Sequence, residues 1–266
     1  MKSPLEQALD EKILELTSGR LRQLALLALK DEEIQYMQDY ANTVSIKRLH
    51  YNDHGPVHMR KVVLNTLSMA GILNEAGIAL SLEREETGNF EDSRVVLFLA
   101  GMLHDVGMSI GREDHEYAGA YMSVSLVERM LKTVYGPDMQ KRVILRSLIL
   151  ECILGHMAAR HADSLESGVL LVADGCDMEK GRARIPMLIK TASRAGDIHK
   201  YSAASIEKVT ITKGTEKAIN ISVTMDTDVG FFQVEEVLMP KIEASSIKPY
   251  IELFATSRGG DPKRYL

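Results

Sequence analysis

Cysteine is scarce: Cys152 and Cys176 are the two in a chain of 266 residues. Two cysteines build no disulfide framework, and a chain of this length needs none. Both read as reduced, structural thiols of a cytosolic protein. Long apolar runs are missing as well. Apolar runs such as residues 95–99 and 169–173 are interrupted far short of the roughly 20 residues that cross a bilayer, so no membrane partner is expected. The first residues, Met1-Lys2-Ser3-Pro4-Leu5-Glu6, hold no apolar signal core. The expectation is a cytoplasmic protein without a secretion or transit peptide. Basic charge is not in excess: 32 Lys and Arg stand against 37 Asp and Glu, for a net charge of -5. That balance, with a pI near 5.9, argues against a broad basic surface for long nucleic acids. It leaves room for a local cationic pocket that takes one phosphate. Internal repeats and low-complexity segments are absent too.

What is present is an ordinary globular balance, 45% apolar and 26% charged. The length suits one large helical domain plus a smaller appended unit. Residues 1 to about 200 read as helices in series. Leu5, Leu9, Ile13 and Leu16 recur at helical spacing, with Ser18-Gly19 closing that element. Residues 21–30 and 32–49 predict two more helices. The segment Tyr51-Asn52-Asp53-His54-Gly55-Pro56 is turn-rich, and Pro56 suits the first position of a helix that runs to about Ala76 and stops at Gly77. Asp92 or Ser93 is expected to cap the next helix, which should end near Gly107. Further helices are expected from Asp114 to Gly136-Pro137, from Asp138 to about Gly155, and from Ser164 to Asp174.

After Ser205 the period changes from helical to two. Val209 and Ile211 alternate with Thr210 and Thr212, and Ile219, Ile221, Val223 and Met225 alternate with polar residues. Lys213-Gly214-Thr215-Glu216 reads as the turn of a hairpin. Residues 231–242 look helical and 250–256 predict a last strand. The reading is therefore mainly α, a helical bundle with a small C-terminal α+β unit of β-β-α-β order. Its parts are N-terminal helices over 1–50, a central domain over 51–204 and the α+β unit over 205–266. A unit that small is near the lower limit of independent stability. It is expected to pack on the helices or on a second subunit, which would make a homodimer.

Several of the eight histidines lie beside carboxylates at the ends of elements. His104 and Asp105 close an otherwise apolar helix, a costly place for such a pair unless something binds it. A divalent cation does so: imidazole with carboxylate suits Mn, Fe, Ni, Co or Zn, and Mg where carboxylates and water dominate.

Leu103-His104-Asp105-Val106-Gly107 resembles the signature doublet of HD-domain phosphohydrolases. His58-Met59-Arg60-Lys61-Val62 is similar to the family's earlier histidine, and Leu170-Leu171-Val172-Ala173-Asp174 to its closing aspartate. The resemblance covers roughly residues 50 to 200, and four positions in family order make it specific. It implies an HD-domain helical bundle whose core ligands are His58, His104, Asp105 and Asp174. His115-Glu116-Tyr117-Ala118-Gly119-Ala120 and His156 look like the extra ligands of relatives that bind two metals. The implied arrangement has Asp105 bridging, His58, His104 and Asp174 completing one site, and His115 and His156 the other. One or two divalent metals per chain follow. HD-GYP phosphodiesterases often double the later histidine; here Met157 follows His156, and the Gly-Tyr-Pro motif is absent, so their cyclic dinucleotide substrate is not assigned.

The chemistry implied is hydrolysis of a phosphoester bond by metal-activated water, with Asp105 and His104 at its centre. No serine or cysteine motif with a base partner is evident, and none is required. The resemblance points to a small phosphorylated substrate, a nucleotide above all. His54, just before its helix, is a candidate for substrate phosphate, for the metal site or for a cap. Lys180, Arg182 and Arg184 directly follow the last ligand and are candidate phosphate contacts; the alternative for them is a solvated basic turn. The competing readings of function are an HD-fold ligand-sensing or regulatory module with little turnover, and a structural helical protein that binds no metal.

Overall fold

A computed structural model describes residues 2–180 and 198–266. The first helices are α1 (Pro4–Glu15), α2 (Gly19–Ala28) and α3 (Glu32–Thr43), the last prolonged by a π-helical turn over Val44–Leu49. Then come α4 (Pro56–Glu75), the short α5 (Ser81–Arg84), α6 (Phe90–Leu103), α7 (His115–Tyr135), α8 (Met139–Gly155) and α9 (Leu165–Gly175). Helix α10 (Ile198–Ser205) leads into strands β1 (Ile206–Lys213) and β2 (Ile219–Met225). A helical stretch, α11 (Gly230–Gln233) and α12 (Met239–Glu243) joined by a π turn, precedes β3 (Ile251–Ser257) and β4 (Lys263–Arg264). The chain is thus mainly helical with a small C-terminal four-stranded sheet.

The centre is set by α6. Every residue from Val95 to Leu103 is fully buried, and a helix apolar all round has no solvent face, so its neighbours must enclose it. Helices α4, α8, α9 and α2 do so. Helix α9 is buried throughout in the same way. Both enclosed helices carry acids at their C-terminal ends, so the interior of the bundle delivers Asp105 and Asp174 to one place.

Close approaches fix the relative positions. A Cβ on Gly101 would lie 2.8 Å from the Val63 side chain, so α6 runs tight against α4 and brings His104 beside His58. A Cβ on Gly107 would lie 1.9 Å from the His115 carbonyl oxygen and 2.5 Å from the Gly119 nitrogen. The 3-10 turn Val106–Ser109 therefore sits directly on the first turn of α7. That contact is the physical reason for glycine at both 107 and 119.

The sheet order is β1-β2-β3-β4. Strands β1 and β2 form an antiparallel hairpin, β2 and β3 pair in parallel across the helical connection, and β3 and β4 are antiparallel. Ile219, Ile221, Val223 and Met225, with Ile251, Leu253 and Ala255, turn into the same apolar core as the bundle. The sheet lies against α4, and α12 lies against α9. Of the two expected supports for the small unit, the helices of its own chain are the one seen.

Local starts and stops largely follow sequence chemistry, though α2 spans Gly19–Ala28 rather than 21–30 and α6 ends at Leu103 rather than near Gly107. Gly77, in the left-handed region at φ +74°, ends α4 as expected. Helix α6 begins three residues earlier than expected: Asn89 is its cap, and Asp92 reaches back to the Asn89 amide as the partner in a capping box. Strand β4 had no periodic signature, being two residues long.

Candidate metal centre

Each candidate ligand sits at an element end. His58 lies in the first turn of α4, His104 caps the C-terminus of α6, and Asp105 follows it. His115 opens α7, His156 caps α8, and Asp174 lies in the last turn of α9. All six are buried, with Asp174 the most exposed at 7%.

The outer nitrogen of each imidazole faces an acceptor. His58 Nδ1 lies 2.7 Å from Asp177 Oδ2, and His104 Nδ1 lies 3.0 Å from the Gly101 carbonyl. His115 Nδ1 lies 3.0 Å from the Arg112 carbonyl, and His156 Nδ1 lies 2.6 Å from the Ile153 carbonyl. An acceptor requires a proton, so Nδ1 donates in all four rings. In the neutral ring Nε2 is then a bare lone pair.

These lone pairs are turned toward one another. His58 Nε2 and His104 Nε2 are 3.1 Å apart, and His115 Nε2 and His156 Nε2 are 3.0 Å apart. Asp105 completes both pairs with different oxygens. Its Oδ2 lies 3.2 Å from His58 and 3.4 Å from His104; its Oδ1 lies 3.2 Å from His115 and 3.4 Å from His156. Asp174 Oδ1 joins the first pair, 3.2 Å from His58 Nε2 and 3.8 Å from His104 Nε2.

Facing lone pairs around a buried carboxylate repel unless a cation lies among them. The spacing has the size such a cation requires. Bonds of about 2.1 Å at tetrahedral or octahedral angles put donor atoms about 3.0–3.4 Å apart. Two groups therefore have the donors, distances and burial to hold a metal: His58, His104 and Asp105, and Asp105, His115 and His156.

The two acids of the cluster are held ionised by basic neighbours. Burial alone would raise the Asp105 carboxyl, but the neighbouring His104 and His54 rings outweigh it and hold it well below the usual carboxylate range. Burial also opposes ionisation of Asp174, and Lys241 and His58 override it in the same sense. Burial pushes the His156 imidazole down, toward its neutral form. Ionised carboxylate and neutral imidazole are the forms that ligate metals.

Two supporting residues come from outside the motif. Asp177, one turn beyond Asp174, orients His58 and is itself held by Lys61 Nζ at 3.1 Å. Lys241, on α12 in the C-terminal unit, pairs with Asp174 Oδ2 and donates to the His156 carbonyl at 3.0 Å. Asp177 was visible in sequence only as a neighbour of the last ligand. Lys241 carried no signal, since 67 residues separate it from Asp174.

Of the remaining candidates, His54 and Lys180 lie within the described residues. The His54 ring lies edge-on to His58, centroids 5.9 Å apart, with Nδ1 2.7 Å from the Asn52 carbonyl and 3.0 Å from Ser45 Oγ. Lys180 is exposed and pairs with Asp226 at 3.3 Å and Glu207 at 3.9 Å. Arg182 and Arg184 lie outside the described residues. Cys152 and Cys176 are free and buried, as expected. No described helix is long and apolar enough to cross a membrane.

A helical bundle with this double His-Asp cluster defines an HD domain, and the HD domain family matches the chain over residues 57–179. The chain belongs to that family. It is similar to an uncharacterized protein of Methanocaldococcus jannaschii, 39% identical over 227 residues, which spans 85% of this chain and 85% of the relative. No solved structure matches.

Proposed function

We propose that this protein is a metal-dependent phosphohydrolase that cleaves a phosphoester bond in a small phosphorylated substrate, a nucleotide above all. One observation carries the reading: Asp105 turns one oxygen to each of two histidine pairs whose Nε2 lone pairs converge. His58, His104, Asp105 and Asp174 would hold one divalent ion, and Asp105, His115 and His156 a second. Ions held there supply charge neutralisation for phosphoryl oxygens and a pKa of about 7 for water.

The chain's own residues do the rest. Asp105 fixes the separation of the two halves through a single rigid carboxylate. His104 and its three counterparts are locked by their Nδ1 partners, so no reorientation is needed when charge develops. His54 is proposed to meet the substrate at the first half. Lys180, Arg182 and Arg184 are proposed phosphate contacts of the segment after Asp177; Lys180 would exchange Asp226 for that role. The catalytic unit is proposed to span 51–204, between N-terminal helices over 1–50 and the α+β unit over 205–266.

The test is turnover of a panel of nucleotide mono- and diesters with Mn, Co or Ni. Release of phosphate or nucleotide that disappears in Asp105→Ala supports the reading. Metal-loaded protein that binds nucleotide without cleaving it would replace this reading with that of a sensing module.

A further inference from the structure

Arg112 stands apart from the arginines that stabilise the fold. Arg60 is buried against Asp10, and Arg129 clamps Asp31 and Glu33. Arg112 makes no ion pair among the described residues, although Glu113, Asp114 and Glu116 are its near neighbours in sequence. Instead the side chain folds back over its own turn. Its carbonyl takes His115 Nδ1 at 3.0 Å, and its Nη1 reaches to 3.5 Å from His115 Nε2, the nitrogen that faces His156 and Asp105. The guanidinium lies 5.7 Å from the centre of the Tyr51 ring, which is 46% exposed. Met108 Sδ, at 3.9 Å, is its other neighbour.

A half-buried guanidinium without a carboxylate has unspent donors and an unbalanced charge. The contacts it does make are an aromatic ring face, a thioether and a nitrogen lone pair too distant for a strong bond. A planar, doubly donating cation in this position fits a phosphoryl group, which offers two oxygens in its plane. Tyr51 supports it from the solvent side, a stacking arrangement that fixes guanidinium direction while leaving donors free.

We propose that Arg112, backed by Tyr51, is a substrate-binding residue of this centre: its guanidinium takes the non-bridging oxygens of the phosphoryl group presented to the His115–His156 half. The proposal deepens the phosphohydrolase reading and rests on it for the identity of the anion. It also places the substrate's phosphate between Arg112 and Asp105.

The test is calorimetric titration of inorganic phosphate into manganese-loaded full-length protein, with metal per chain measured in parallel. Arg112→Met should bind phosphate roughly 10- to 100-fold more weakly, the loss of one charge-assisted pair. Its metal content and melting temperature should match wild type. Arg112→Lys should recover part of the affinity, and Tyr51→Leu should weaken it a few-fold. Equal phosphate affinity in wild type and Arg112→Met overturns the proposal. So does no phosphate binding by loaded wild type, or loss of metal from Arg112→Met, which would make Arg112 a support for His115. Phosphate binding that depends on Arg112, in a protein that turns over no ester, would sink the phosphohydrolase reading and leave this one standing.

Discussion

At the scale of single residues, the centre depends on groups that fix each imidazole from behind. Asp177 does this for His58 at 2.7 Å while Lys61 balances its other oxygen. Asp177→Asn keeps the shape and removes the charge. It should weaken metal binding roughly 10- to 100-fold while the protein stays folded. Competition with a chromophoric chelator reads this directly, and unchanged affinity would deny Asp177 its orienting role. His104 and Asp105 could be read from the sequence because they close an apolar helix, and His58, His115, His156 and Asp174 because they stand in the order of the family the chain resembles. Asp177, Lys241 and Arg112 could not. Their importance is set by the atom each reaches across space, and periodicity carries no record of that.

At the scale of elements, helix junctions carry the electrostatics. Asp31 caps α3 and holds Arg129 of α7. The Arg129 hydrogen bond, helped by the Ile34 amide N–H and opposed by burial, holds the Asp31 carboxyl below its ordinary value. A depressed carboxyl stabilises the fold above its unfolded value of about 3.9 and ceases to do so as pH falls through the folded one. Arg129 is half exposed, so Arg129→Met should cost only about 0.5–1 kcal/mol at pH 7. The difference should shrink as pH drops below about 4; urea unfolding at both pH values measures it. Helix α12 makes a second junction through Lys241. Lys241→Met should weaken metal binding at the half that includes Asp174, roughly tenfold or more. Two-site metal titration would show instead an equal loss at both halves if Lys241 acts only by holding α12 in place. Most element boundaries were legible because glycines, prolines and capping residues mark them. The early start of α6 was not: Asn89 and Asp92 are both good caps, and only the reciprocal bond between them decides which residue serves.

At the scale of the whole molecule, the bundle and the C-terminal sheet share one core, and Lys241 of the C-terminal unit reaches the His–Asp cluster. The helical class and the strand pattern were legible, since period 3.6 gives way to period two after Ser205. The sheet's parallel β2–β3 pairing, its docking on α4 and the docking of α12 on α9 were not, because these are long-range properties. With a shared core, any ion bound by the folded chain stabilises bundle and sheet together. Ions that bind only the folded chain add RT ln(1 + [L]/Kd), about 2.7 kcal/mol at a hundredfold excess over Kd. Chelation should therefore lower the melting temperature of the entire chain in one transition, by several degrees. Calorimetry showing a separate, chelator-insensitive transition for the sheet would contradict the shared core.

The central claim is that Asp105 joins two halves of one metal centre. Elemental analysis of protein saturated with manganese and then desalted tests it most directly. The account predicts about two ions per wild-type chain, about one after His115→Ala, and essentially none after Asp105→Ala. A metal-free wild type, or two ions retained without Asp105, would contradict it.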